Sequence, residues 1–154
     1  MDLTTTLIGV LIVVLCAVPL IMMHNKKKKK EGKIVKALYD YAEMNSGKIT
    51  KHDLWPGHAI GLDENSNRLF FLNTTDGTGH TQQVTLDSIK KVVVMGDERP
   101  EVADKLEMML VSSRPGTPDV IFEFYNHDEA MQINEELQLI RKWEGIVNER
   151  IAKA

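Results

Sequence analysis

The feature that most constrains this chain is an uncharged, apolar run of 21 residues near its amino terminus, Leu3 to Met23. At about 1.5 Å of rise per helical residue, such a run spans roughly 30 Å, the thickness of the hydrocarbon core of a bilayer. A secretory signal peptide would have a basic segment first, a shorter apolar core and a small-residue cleavage site, whereas only Asp2 and the terminal amine precede this run. A lipoprotein signal has a small residue before its cysteine, and here a bulky Leu15 precedes Cys16. The sequence therefore predicts one transmembrane helix, at residues 1–25.

A run of lysines follows the apolar segment at once and indicates its orientation. Lysine and arginine next to a spanning helix stay on the cytoplasmic side. We therefore expect a single pass through the inner (cytoplasmic) membrane of the cell, with the amino terminus outside and everything after His24 in the cytoplasm. Besides marking topology, each lysine near an anionic leaflet contributes on the order of 1 kcal/mol of attraction, so the run is a candidate membrane-surface site for lipids such as phosphatidylglycerol or cardiolipin. The residues of this candidate site are Lys26, Lys27, Lys28, Lys29, Lys30 and Lys33.

The charge of the remaining chain argues against several functions. The formal net charge of −3 divides into +5 for residues 1–36 and −8 for residues 37–154. A domain this acidic repels nucleic acid, so we expect no nucleic-acid partner. The single cysteine lies in the predicted span, which excludes disulfide scaffolds and cysteine-based metal sites. The length outside the membrane, about 120 residues, suits one cytoplasmic domain.

The spacing of apolar residues predicts two helices around a set of strands. An amphipathic helix is expected over Glu31 to Asn45, ended by Asn45-Ser46-Gly47, and a long helix over Asp128 to Lys153, capped within Asn126-His127-Asp128. The apolar stripe of the last helix consists of Ile133, Leu137, Ile140, Val147 and Ile151, widened by Trp143 and Ile146. We expect Trp143 to lie in the core.

Between the two helices the pattern predicts about six short antiparallel strands, after a turn at Leu54-Trp55-Pro56-Gly57. Two hairpins stand out, one around Asp63 to Asn67 and one around Arg114 to Pro118. The predicted strands cover residues 58–62, 68–73, 82–86, 90–95, 105–112 and 120–125.

Motifs that would carry catalysis or bind metal are weak. The chain has no His pair at helical spacing, no nucleophile elbow and no phosphate-cradling loop. The segment after Tyr41 superficially resembles a calcium loop, but Ala42 and Met44 occupy positions that need side-chain oxygens. Thr75-Asp76-Gly77-Thr78-Gly79 resembles the surroundings of catalytic aspartates in aspartic proteases, yet an Asp-Gly pair is first of all a turn, and those enzymes need a dyad. We expect no enzyme activity, cofactor, metal or small-molecule substrate.

Several segments together resemble bacterial PH-like (pleckstrin-homology-like) domains, which occur in membrane-associated proteins. The segments are 58–63, 69–71, 84–89 and 121–125, the last leading into the closing helix. The resemblance covers about residues 58–150 and implies a PH-like antiparallel sheet of about six strands closed by the long C-terminal helix. Together with the predicted N-terminal transmembrane helix and the amphipathic helix, this gives an α+β fold. It implies no catalytic residues. The polar loop Asp63 to Asn67 lacks the basic residues with which eukaryotic relatives bind phosphoinositide headgroups.

These observations predict three regions: a transmembrane helix at 1–25, a polybasic juxtamembrane segment with the amphipathic helix at 26–57, and a PH-like cytoplasmic domain at 58–154. The expected partners are the lipid bilayer and another protein. The expected function is that of a membrane-anchored interaction module, an adaptor that binds a protein or peptide either on a sheet edge, as edge strands capture extended segments, or along the terminal helix. The alternative is a small structural subunit of a membrane complex that assembles through its transmembrane helix.

Overall fold

The computed structural model describes residues 2–130, 133 and 135–153. The chain divides into two compact units, Met1–Lys33 and Ile34–Ala154. The second unit contains the end of the first helix, both sheets and the last helix. It therefore includes more of the chain than the predicted domain at 58–154.

The first helix, α1, covers Leu3–Met44 and contains Pro19. Its apolar part is long and apolar enough to cross a membrane, with a mean hydropathy of 2.8 over its most apolar window. This confirms the prediction of a long apolar helix near the amino terminus. The prediction of a separate amphipathic helix starting at Glu31 was wrong, because the helix has no break at Gly32. A Cβ at Gly32 would meet no other atom within 4 Å, so neither a tight turn nor a close contact requires this glycine.

The end of α1 is the predicted one, and it has the hydrogen bonds of a Schellman motif. The N–H of Gly47 donates to the carbonyl of Ala42 at 2.7 Å, and the N–H of Ser46 donates to the carbonyl of Glu43 at 3.0 Å. Ser46 has a positive φ of 57°. Gly47 packs against the ring of Phe70 so closely that a Cβ would lie 2.7 Å from Cζ.

The described residues after α1 form seven strands in two antiparallel sheets. The first sheet has the order β1 (Lys51–Trp55), β2 (His58–Asp63), β3 (Arg68–Asn73) and β4 (His80–Thr85), and the second has the order β5 (Ile89–Met95), β6 (Lys105–Ser112) and β7 (Val120–Asn126). A short 3-10 helix at Leu86–Ser88 connects the sheets. The last helix, α2, covers Glu136–Lys153.

The two central strands of the four-stranded sheet, β2 and β3, are buried on both faces, which explains the continuous apolar run in β3. On one face, Phe70 and Leu72 pack with Leu38 and Ala42 of α1. The other face belongs to the main core, where Phe71 stacks on Phe122 of β7 with ring centres 4.6 Å apart. The two sheets therefore pack face to face across one core, with the end of α1 on the outside of the first sheet.

Helix α2 covers the three-stranded sheet with the predicted apolar stripe. Ile140, Trp143 and Val147 are fully buried in the main core. The indole N–H of Trp143 donates to the carboxylate of Asp53 on β1 at 2.9 Å, and Lys142 forms an ion pair with the same carboxylate at 2.6 Å. Trp143 is thus a core residue, as predicted.

Two further element boundaries were predicted wrongly, and one strand was missed. The C-terminal helix begins at Glu136 rather than Asp128, because Asn126 accepts a hydrogen bond from the N–H of Asp128 in a local turn instead of capping a helix. Residues 131, 132 and 134 of the predicted helix lie outside the described residues. The strand at Lys51–Trp55 was missed, because its polar side chains show no apolar alternation and its end was interpreted as a turn. Predicted strand 82–86 is His80–Thr85, and Leu86 begins the short 3-10 helix.

Candidate functional site

The predicted membrane-surface lysines all lie on α1 with exposed side chains. Lys26, Lys30 and Lys33 recur at intervals of four and three residues, which places them along one side of the helix. Lys27 forms an i,i+4 ion pair with Glu31 at 3.9 Å, and both side chains are largely exposed. Such a pair contributes only a few tenths of a kcal/mol, so it does not keep Lys27 from an anionic surface.

An open groove of about 530 Å³ lies beside the carboxyl end of β5. Strand β5 is an edge of the three-stranded sheet: it pairs with β6 on one side, and the strands that the structure describes offer no partner on the other. Helix α2 packs against β5 more than against β6 or β7, so the part of this edge that could accept an extended segment from another molecule is the carboxyl end beside the groove, which has no α2 residue in its lining. The apolar lining residues of the groove are Val93, Val94, Met95, Val102 and Ala103.

The groove has a polar rim that α2 holds in place. Asp97, Glu98 and Arg99 contribute to the lining. Arg141 of α2 forms an ion pair with Asp97, and Glu144 shares the same guanidinium at 3.4 Å. Glu98 and Arg99 are exposed to solvent. The rim therefore presents one negative and one positive side chain, Glu98 and Arg99, to a ligand. The carboxylate of Asp97 is already paired with Arg141.

The turn into the groove depends on a glycine. Gly96 has a positive φ of 88°, and a Cβ there would collide with the carbonyl oxygen of Lys105. A side chain at this position would be strained by the backbone conformation and by the contact.

The sequence analysis treated the neighbouring Glu98-Arg99-Pro100 only as a break between strands. A signal was present in Val92-Val93-Val94-Met95, an apolar run without alternation in a strand that has one face in the core.

The Asp76 loop does not have the geometry of a nucleophile–His–Asp relay. Asp76 Oδ2 lies 2.6 Å from Nε2 of His80, and the hydroxyl of Thr78 lies 3.1 Å from the same nitrogen. A nucleophile–His–Asp relay needs the nucleophile and the acid on opposite ring nitrogens. Hydrogen bonds from the N–H and hydroxyl of Thr78, together with His80, lower the pKa of Asp76 to about 2. The arrangement is a turn stabilised by its own side chains, as the sequence predicts for an Asp-Gly pair.

His58 is a buried histidine with one ring nitrogen unaccounted for. It is 4% exposed, stacks on Trp55 with ring centres 5.2 Å apart, and donates from Nδ1 to the carbonyl of Pro56 at 2.9 Å. Its other ring nitrogen, Nε2, is buried and has no hydrogen-bond partner among the described residues. Burial lowers the pKa of His58, an effect that the carbonyl of Pro56 and nearby glutamates partly oppose. The ring is therefore neutral at physiological pH.

Across the part of the chain that the structure describes, no group of three or more His, Cys, Asp or Glu side chains could hold a metal ion. Comparisons of the chain with family models, with curated proteins and with solved structures found no match. The resemblance to bacterial PH-like domains therefore stays a prediction. The case for a function rests on the long apolar helix, the exposed lysines and the groove beside β5.

Proposed function

We propose that the chain is a single-pass membrane protein whose cytoplasmic domain holds an extended segment of a partner protein along β5. The observation that carries this proposal is the combination of an unpaired strand edge with an apolar groove beside it. An added strand forms backbone hydrogen bonds to the edge, and alternate side chains enter the adjoining groove. The apolar residues Val93 and Val102 favour a partner segment with apolar side chains, and Glu98 favours a basic residue beside them.

The membrane location and the topology belong to the same proposal. The apolar part of α1 supports the location. The exposed lysines support an orientation with the domain in the cytoplasm, because lysines beside a span remain on that side. The same lysines would contact anionic lipid headgroups of the inner membrane.

A PH-like domain is the finer fold that we propose for the second unit. Two antiparallel sheets in chain order, followed by a terminal helix on the second sheet, support it. The sequence analysis took Asp63 to Asn67 for the first loop of the sheet, and the structure places that loop at Pro56-Gly57, between β1 and β2. The first loop contains no lysine or arginine, which favours a protein ligand over an anionic lipid headgroup at this loop.

A second candidate function follows from the membrane helix. One side of α1 carries the small residues Thr5, Thr6 and Gly9 around a shallow apolar concavity that Val10, Val13 and Val14 complete. Small side chains allow a second helix to approach closely within a membrane. This surface favours a structural subunit that assembles through its span, with the domain as a brace.

The test uses the full chain in native membranes. A photo-crosslinking amino acid replaces Val102, which is 70% exposed and lines the groove, and the matched control carries it at Asn148, an exposed position on α2. The adaptor proposal expects one protein to be crosslinked from Val102 and not from Asn148, and expects this to persist when 3–23 is replaced by an unrelated transmembrane helix. Loss of the crosslinked product when the helix is replaced favours the second candidate function, a structural subunit that assembles through its span. Equal products from both positions refute the proposal that the groove binds the partner.

A further inference from the structure

The segment that borders the groove beside β5 carries more acidic than basic side chains. It covers residues 96–104, between β5 and β6. Glu98 and Arg99 line the groove, and Glu101 and Asp104 lie in the same segment with exposed side chains. Within the described residues, these four side chains form no ion pair. Three acidic side chains and one basic side chain are therefore open to a ligand.

The apolar part of the groove lies beside these charges. Val102 is 70% exposed in a turn, where its N–H donates to the carbonyl of Arg99 at 3.1 Å. Val93 is half-buried and borders the face of the three-stranded sheet that points away from the main core, where the register places Met109 and Ile121 beside it. A groove with apolar residues and an excess of negative charge favours a segment that combines apolar and basic residues.

The domain as a whole has the same sign of charge. Residues 37–154 have a formal net charge of −8. Such a domain repels an anionic membrane surface and attracts a cationic segment. The lysine run of a second copy is a poorer occupant, because residues 26–33 lie within helix α1 and an added strand must be extended.

The proposed membrane anchor restricts which segments can reach the groove. The sequence leaves only residues 24–33 between the apolar run and the second unit, and such a tether reaches at most about 35 Å when fully extended. Segments that lie beside the spans of other membrane proteins are therefore at a high effective concentration around the domain. On the cytoplasmic side, those segments are rich in lysine and arginine. Position and charge thus favour the same class of ligand.

We propose that the groove binds the basic cytoplasmic segment beside the span of another membrane protein. This partner class rests on the proposed function, because it requires that the groove bind an extended segment. The segment adds to the carboxyl end of β5, with apolar side chains against Val93 and Val102 and a lysine or arginine beside Glu98.

The test maps the crosslinked residue within the partner. The full chain carries the photo-crosslinking amino acid at Val102 in native membranes, and the product is digested and analysed by mass spectrometry. We expect a crosslinked residue in an integral membrane protein, within about 15–20 residues of a spanning helix, in a segment with more basic than acidic residues.

The other outcomes separate this partner class from the groove itself. A crosslink to a cytosolic protein, to a second copy of this chain, to lipid, or to a segment that is far from a span or has no excess of basic residues would overturn the partner class. A protein crosslinked from Val102 would still support the groove. Absence of a product from Val102, or equal products from Val102 and Asn148, would overturn both.

A charge reversal at the rim tests recognition by charge. Glu98→Lys should lower the yield of the Val102 product roughly three- to tenfold, because an exposed attraction becomes a repulsion. The matched control is Glu43→Lys, which makes the same change of net charge at an exposed position near the end of α1 and should leave the yield unchanged. Replacement of the basic residue in the mapped segment by glutamate should restore the yield with Glu98→Lys. An unchanged yield in Glu98→Lys, or an equal loss in Glu43→Lys, would overturn recognition of a basic segment at this rim.

Discussion

Replacement of Asp63 by Asn should destabilise the domain strongly at neutral pH and much less in acid. Asp63 is 3% exposed, and its carboxylate accepts hydrogen bonds from the N–H of Lys48 at 2.8 Å, from the N–H groups of Asn65 and Ser66, and from the hydroxyl of Ser66 at 2.7 Å. Burial alone would raise the pKa of Asp63, but these hydrogen bonds outweigh it and lower the pKa from 3.8 to about 2. The contact with Lys48 joins the segment after α1 to the β2–β3 turn.

The expected loss of folding free energy follows from the pKa shift of Asp63, because protonation and folding are linked. A folded-state pKa below the unfolded value means that the ionised carboxylate stabilises the fold fully above pH 3.8 and that this contribution is lost as the pH falls toward 2. At about 1.4 kcal/mol per pKa unit, the contribution is about 2 kcal/mol. Asn presents an amide N–H₂ to donors that need an acceptor, so Asp63→Asn should lose at least this amount at pH 7.

The assay is urea unfolding of the full chain in detergent micelles, followed by fluorescence of the two buried tryptophans, Trp55 and Trp143. The matched control is Asp76→Asn. Asp76 also has a pKa of about 2, but it is exposed and binds only the nearby Thr78 and His80, so the global stability should change little. An Asp63→Asn variant that loses nothing at pH 7, or that loses as much at pH 2 as at pH 7, would refute the reasoning.

Three further predictions concern other positions of the fold. Burial lowers the pKa of His58 below 6.5, so the free energy of unfolding should decrease as the pH falls below 6.5, and His58→Leu should flatten that dependence in unfolding measured from pH 7.5 to 5. Ser46 has a φ of 57° at the end of α1, and Ser46→Gly should raise the free energy of unfolding by about 1 kcal/mol in urea titrations, because glycine adopts this conformation without strain. Trp143→Phe removes the indole N–H from the carboxylate of Asp53 and should cost about 1.5–3 kcal/mol in the same titrations. No change in the corresponding titration would contradict each prediction in turn.

The regular parts of the fold were predictable because their residues repeat with a clear period. The hairpin of β2 and β3 follows from apolar runs around a polar turn, and the end of α1 follows from Asn45-Ser46-Gly47. Strand β1 carries no such period. Lys51 and His52 are exposed, and the strand is held by pairing with β2 and by the indole of Trp55, which donates to the carbonyl of Phe124 on β7. Contacts between residues 69 positions apart leave no local pattern in the sequence.

Gly61 is a second example of a residue whose contacts could not be predicted from a local sequence pattern. It lies in the middle of β2, where a glycine ordinarily weakens a strand. In the structure, a Cβ at Gly61 would lie 2.9 Å from Cδ1 of Ile49 and 3.2 Å from Cδ2 of Leu38. The glycine therefore allows the end of α1 to pack closely against the sheet. From the sequence alone, nothing connects Gly61 with a helix that ends seventeen positions earlier, at Met44.

The candidate surfaces were hard to predict for a related reason. The lysine run is local in the sequence, so it could be named directly. The groove is formed by the folded end of β5 and the segment after it. The face of the three-stranded sheet that points away from the main core is formed only when β5, β6 and β7 lie side by side. Val93, Met109 and Ile121 are far apart in the chain, and the register alone places them in one row. The sequence nevertheless contained one indication, because β5 and β6 have apolar residues on both faces. A strand that covers a core on one side needs apolar residues on that side only. Apolar residues on its other side therefore indicate an interaction surface.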